Sequence, residues 1–276
     1  MIFEINQTEK AASLFEGWQE SVIWSCLQNV MGNLYADEKE SPSSAMIFLG
    51  DFGFPAGKPN KEIIMDGPAM YWRNGRTARG GEGREDGEAD RMEGIIVPQN
   101  EAWADLIEES YGKRAKKVIR YAIKKEPGIF DKDKLQAVVD GIPEGYVLKM
   151  IDEELFHYCG RTKWCRDWVS NYRDYPMYQK YGLGAVILKE GEPVSGASSY
   201  SGFRGGIEVE IDTREDYRRK GLAHVCGAKL ILECLVRDWY PSWDAQNKWS
   251  AALAEKLGYH FSHEYTAYEI YTQELL

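Results

Sequence analysis

The residues best placed to do chemistry lie between Glu208 and Ala223. Arg218, Arg219 and Lys220 precede Gly221, and an apolar-periodic helix is expected from Gly221 to Arg237. Cations at the start of a helix oppose its macrodipole, unless an anion binds the free N–H groups of the first turn. The spacing therefore points to anion capture, with a basic helix start neutralised by Glu215 and Asp216 as the alternative. Just upstream, Ile207, Val209 and Ile211 alternate with Glu208, Glu210 and Asp212. That period of two predicts a strand with three carboxylates on one face.

The elements that must position these residues are legible in outline. In the second half the order is strand 146–151, helical stretches 153–159 and 164–181, and a hairpin of 184–188 with 194–200. Strand 207–213 and helix 221–237 follow, then strand 241–245, helix 249–257 and strand 259–271. In the first half, spacing-four apolar residues predict a helix from Lys10 to Asn33, and Ala45–Leu49 reads as a strand. Asn100 opens a helix closed at Tyr111-Gly112, and Asp131 caps another that ends at Gly141. The segment Arg73 to Arg91 is rich in Gly, Arg, Glu and Asp and reads as a long mobile loop.

The strand order, taken with Arg218-Arg219-Lys220-Gly221-Leu222-Ala223 after its third antiparallel strand, resembles the GNAT superfamily of acetyl-CoA-dependent N-acetyltransferases. A second segment, Asn247 to Leu257 closed by Gly258-Tyr259, resembles the family's other cofactor motif. The more particular resemblance is to the branch that contains zwittermicin A resistance proteins. It implies a GNAT-like α/β (α+β) fold with a mixed, mostly antiparallel sheet flanked by helices. Domains are expected at 1–141 and 142–276, the second being the acetyltransferase. Backbone N–H groups from Arg219 to Ala223, including Leu222, would cradle the pyrophosphate of acetyl-CoA, with Arg218 and Lys220 adding charge. Ile211, Asp212 and Thr213 would form a bulge that splays the central strands and holds the pantetheine arm. Asn247 and Ser250 would meet the arm from the other side, although Asn247 also reads as a helix cap.

The implied reaction is acetyl transfer to a primary amine of a small molecule by direct attack on the thioester. Glu210, or Glu208, would take the proton from the amine; solvated or substrate-attracting carboxylates are the plain alternative. Many family members place a Tyr general acid where this chain has Ala254, so the acid is unassigned among Tyr265, Tyr268, Ser250 and water. A non-catalytic acyl-CoA sensor and a protein N-acetyltransferase are the competing functions. Gln99-Asn100 and Gln246-Asn247 open similar segments. Residues 1–141 are thus either a degenerate copy of the same module, contributing substrate contacts, or a coincidence of two short α/β segments.

Composition excludes other classes. The chain has 276 residues, 43% hydrophobic and 28% charged, with a net charge of −10. A nucleic-acid backbone or an anionic membrane is an improbable partner for that charge. Five irregularly spaced cysteines read as reduced thiols of a cytoplasmic protein. The first ten residues lack the signal-peptide pattern, and no apolar run approaches the ~20 residues that span a bilayer. His157, Cys159 and Cys165 lack a regular ligand spacing, so no metal is expected. His224 and Cys226 are two apart on a helix and do not face each other, so packing is expected of Cys226. Oligomeric state is not legible.

Overall fold

A computed structural model describes residues 1–73 and 92–274. Apart from Arg73, the segment expected to be mobile lies outside the described residues. The elements, in chain order, are β1 Phe3–Ile5, α1 Ser21–Leu27, β2 Asn33–Ala36, β3 Ser44–Leu49, β4 Phe52–Gly57, α2 Lys61–Pro68, β5 Met92–Ile96, α3 Glu101–Tyr111 and β6 Ala115–Ile123. Then come α4 Lys132–Asp140, β7 Tyr146–Met150, α5 Glu153–Arg161, α6 Tyr175–Tyr181, β8 Gly184–Lys189, β9 Glu192–Phe203, β10 Gly206–Thr213 and α7 Leu222–Val236. The chain ends with β11 Tyr240–Ser242, β12 Asp244–Ala245, α8 Lys248–Lys256 and β13 Phe261–Tyr271. Contacts divide it into two compact units, Met1–Arg120 with the residues from Tyr265 on, and Tyr121–Glu264. These bounds differ from the 1–141 and 142–276 division expected from sequence. Ile123, Phe130 and Leu135 are buried in the core of the second unit, so α4 goes with that unit.

In the first unit, β1 to β4 form an antiparallel meander, β5 joins β4 in parallel, and β13 joins β5 antiparallel. Aromatic packing holds it together: Phe48 stacks on Tyr71 at 5.0 Å and meets Trp72 edge-on at 5.4 Å. The long helix expected from Lys10 to Asn33 is interrupted. Short 3₁₀ turns at Thr8–Lys10 and Ala12–Phe15 precede α1, because the chain turns at Gly17 with φ +81° and Glu16 is extended. The apolar period reported burial on one side, which turns can also satisfy.

In the second unit, β7 to β10 form an antiparallel meander and β11 joins β10 in parallel. α7 supplies the centre of the core: Leu222, Cys226, Leu230, Ile231 and Cys234 are almost fully buried against Ile187, Val194, Ala197 and Ile207. Each buried Leu or Ile side chain contributes about 1.5–3 kcal/mol, so this helix is held by packing on the sheet. The helical stretch expected over 164–181 divides instead into a 3₁₀ turn, Arg166–Trp168, and α6, which Asp174 caps by accepting from the Met177 N–H. The turn and α6 reach the sheet face opposite α7. Ser198 Oγ donates to the Trp168 carbonyl at 2.7 Å and is 2.8 Å from the Tyr178 hydroxyl. Among the described residues no helix is long and apolar enough to cross a membrane.

The two units share a plan. Each is a four-stranded meander, a crossover and a parallel fifth strand, followed by an Asn-capped helix and a closing strand. Asn100 (φ −157°, ψ 178°) accepts from the Trp103 N–H, and Asn247 (φ −155°, ψ 171°) from the Ser250 N–H.

Candidate functional site

Asn60, Asn100, Asp131, Asp152, Asp174 and Asn247 cap their helices by accepting a backbone N–H. α7, at 15 residues the longest of the described helices, has no side-chain cap and no acid in its first turn. It starts at Gly221 with φ +79°, and Arg219 is also left-handed at φ +62°. A non-glycine residue there costs about 1–2 kcal/mol. The alternation from extended Arg218 through these two residues is a geometry that gathers successive N–H groups into an anion-binding concavity. The N–H groups of Leu222, Ala223 and His224 find no acceptor among the described residues. A Cβ built on Gly221 would meet nothing within 4 Å.

This start of α7 opens into a cavity of about 500 Å³ whose walls include Thr213, Arg218, Arg219, Gly221, Leu222 and Ala223, all named from the sequence. Ile211, Asp212, Lys220, Asn247 and Ser250 lie outside its walls. The sequence did not single out Tyr217, Trp249, Leu253 and Lys256, which also line it, and it weighed His224 only with Cys226. A spacing of 249, 253 and 256 on one helix was the signal available for three of them. The Nε2 of His224 is buried without a hydrogen-bond partner.

The loop's cations differ in their commitments. Arg218 Nε donates to the Thr213 carbonyl at 3.2 Å and its guanidinium is 3.9 Å from Asp212. Lys220 donates to the Asp216 carbonyl at 3.0 Å and lies 4.4 Å from the Tyr217 ring centroid, with Arg214 at 4.6 Å from the same centroid. Arg219 and Lys256 form no hydrogen bond or ion pair among the described residues. The residues present suit a diphosphate ester: open space at the glycine, uncommitted N–H donors, two free cations and an orphaned buried nitrogen.

The expected bulge at Ile211–Thr213 is corrected by the register. Val209 to Thr213 pair without interruption with Ser199 to Ser195, and the shift falls between Glu208 and Val209, leaving Tyr200 as the extra residue on β9. The parallel β10–β11 ladder also stops there, at Glu208↔Ser242. Its cause is the chain after Ser242, which turns through Trp243 into β12 and pairs with Tyr121 and Ala122. The splay is real but begins one turn of the pleat earlier than sequence suggested.

Glu208, Glu210 and Asp212 share the β10 face opposite α7, as alternation predicts. Glu208 is buried at 6% exposure and Glu210 is half-buried. Opposite Glu210 across the ladder is Ser198, and opposite Asp212 is Gly196, whose ideal Cβ would lie 2.7 Å from the Trp168 ring. Burial raises the Asp212 carboxyl above the usual carboxylate range, while the Thr213 N–H and Arg218 pull it down.

Ala254, at the position expected of a Tyr, is fully buried. Tyr268 is also buried, and its hydroxyl donates to Glu108 at 2.6 Å. Ser250 Oγ accepts from Trp243 Nε1 at 3.1 Å. Cys226 packs in the core, where burial pushes its thiol up to about 12. Cys159 and Cys165 are both buried, and among the described residues no group of three or more His, Cys, Asp or Glu is placed to hold a metal.

A cationic, uncapped helix start after a splayed antiparallel meander is the plan of a CoA-dependent acyltransferase. The chain matches the GNAT acetyltransferase family over residues 12–268 and belongs to it. It is 44% identical to a GCN5-related N-acetyltransferase-like protein of Streptococcus suis 89/1591, whose crystal structure superposes with a TM-score of 0.84 over 96% of this chain and 98% of that one. It is also similar to the uncharacterized N-acetyltransferase YdfB of Bacillus subtilis (strain 168), 27% identical over 253 residues, 89% of this chain and 88% of that one. A tandem GNAT protein from the clavulanic acid biosynthesis pathway shares the fold over the whole of both chains at 10% identity and a TM-score of 0.50. That likeness fits two halves built on one plan. The protein is thus an acetyl-CoA-dependent N-acetyltransferase acting on an acceptor.

Proposed function

We propose that the acceptor is a primary amine on a small molecule and that the second unit carries the transfer. The observation behind the cofactor assignment is the uncapped, left-handed start of α7 at an open cavity. The N–H groups from Arg219 to Ala223 hold the pyrophosphate, and Arg218, tied to Thr213, braces the loop on β10. Ile211, Asp212 and Thr213 present backbone along the pantetheine arm, and Asn247 and Ser250 flank it. When bound, acetyl-CoA supplies the acetyl group as an activated thioester.

An ammonium cannot attack, so a proton must leave the acceptor first. Glu210 takes it, with Glu208 deeper on the same face to attract the cation. Asp212 completes the acidic row, and the negative field it shares with them favours a cationic acceptor. Within the second unit, Ser250 or a water molecule is available to return a proton to the departing thiolate.

Acetyl-CoA consumption measured over a panel of small amines, peptides with free N-termini and lysine peptides tests the reading. Turnover on small amines is expected. Tight CoA binding without turnover on any acceptor would instead support a sensor, a reading to which the buried Ala254 lends weight. Turnover on peptides alone would support a protein N-acetyltransferase.

A further inference from the structure

Three tryptophans of the second unit behave differently. Trp168 and Trp243 are buried almost completely, whereas Trp249 opens α8 with 78% of its surface exposed. Trp249 is nonetheless part of the cavity wall at the start of α7, and Leu253 and Lys256 continue the same face of α8 one and two turns on. Arg219 lines that cavity too. Of the cations here, Arg218 and Lys220 are committed to the carbonyls of Thr213 and Asp216, and Arg219 and Lys256 are not committed. A flat aromatic surface beside two free cations complements a purine base that carries a phosphate.

We propose that Trp249 is the platform on which the adenine ring of CoA stacks, and that Arg219 and Lys256 receive the 3′-phosphate of its ribose. The site thereby distinguishes CoA from its 3′-dephospho form. This rests on the pyrophosphate lying at the start of α7, since that anchor sets which part of the molecule reaches Trp249. Stacking is tolerant of ring type but needs a π-face, so Phe can replace Trp and Ala cannot. The phosphate contact is a point-charge interaction, and Lys256→Gln removes it without changing the stem length much.

Calorimetric titration of the full chain with CoA, 3′-dephospho-CoA and 3′-phosphoadenosine 5′-phosphate provides the test. Trp249→Ala is expected to weaken CoA and the nucleotide fragment by about fivefold to a hundredfold, the range of one base–aromatic stack. Trp249→Phe is expected to keep most of the affinity. The parent is expected to prefer CoA over dephospho-CoA by about tenfold or more, a charge-assisted contact being worth roughly 1.5–3 kcal/mol, and Lys256→Gln to shrink that preference. Gly221→Asn separates the two ideas. If it weakens CoA binding about tenfold or more while Trp249→Ala leaves affinity unchanged, the platform is wrong and the loop stands. If neither variant changes affinity, the loop assignment fails and the platform falls with it.

Discussion

The helices α2 and α7 occupy the same place in their units, each opening the crossover from the fourth strand of a meander to a parallel fifth. Their first turns are opposites. α2 starts at Asn60, whose side chain accepts from the Glu62 N–H, and Glu62 adds a carboxylate to the first turn. This helix satisfies its own positive end. α7 starts at Gly221 with no cap, no acid and the cations Arg218, Arg219 and Lys220 before it. Left alone, each misplaced cation costs about 0.3–1 kcal/mol. The strands before the crossovers differ in the same sense. β4 reads Phe52-Gly53-Phe54-Pro55-Ala56-Gly57, without a titratable group, where β10 carries Glu208, Glu210 and Asp212. One plan thus yields a crossover helix that caps its own N-terminus in one unit and a crossover helix left uncapped in the other. The place that the cationic loop takes in the second unit is held in the first by α2 and its Asn60 cap.

The largest effect should come from the carboxylate face. If Glu210 takes the proton, Glu210→Gln should lower kcat by roughly 10²–10⁴-fold, the span of general base catalysis, with CoA affinity held. The deficit should shrink as pH rises, since more acceptor arrives deprotonated. A rise in KM at constant kcat would make Glu210 an electrostatic holder, and unchanged kinetics would remove it from the site.

Next is the start of α7. Asn tolerates a left-handed backbone better than other side chains, so Gly221→Asn should fold normally while filling the space above the N–H groups. CoA affinity should fall about tenfold to a hundredfold, the worth of one charge-assisted hydrogen bond. Calorimetry showing parent-like affinity would make α7 an ordinary helix start.

A smaller effect is expected at α2. Asn60→Ala should cost about 0.5–2 kcal/mol of stability, the usual loss of a helix cap, and leave CoA binding alone. A matching loss of CoA affinity would mean that the first unit is not closed to the cofactor.

The smallest concerns Asp212. Its carboxyl binds a proton more tightly folded than unfolded, so stability is lost as pH rises from the unfolded to the folded value. Asp212→Asn lacks that loss. Its melting temperature should match the parent's near pH ~3 and exceed it by a margin that grows above the ordinary Asp value of ~3.9. A margin constant with pH would assign the effect to packing and not to titration.

Local chemistry made much of this legible in advance. The 207–213 alternation needs only the pleat of a strand to put three acids on one face. The Arg218–Ala223 spacing needs only helix geometry to raise the question of an anion, and the Asn100 and Asn247 caps are set within three residues of themselves. Where a feature depends on distant partners, the sequence fell short. The bulge lies opposite Glu208 and Val209 because Tyr200 on another strand is the inserted residue, and the ladder ends where Trp243 turns the chain toward Tyr121. Nothing within 211–213 records either. Trp249, Leu253 and Lys256 became cavity residues only when α8 packed near the start of α7, and Lys220 left the cavity because the Asp216 carbonyl and the Tyr217 ring hold it. Periodicity fixes which face of an element is apolar; which polar residues meet across a cavity is decided by the packing of elements far apart in the chain.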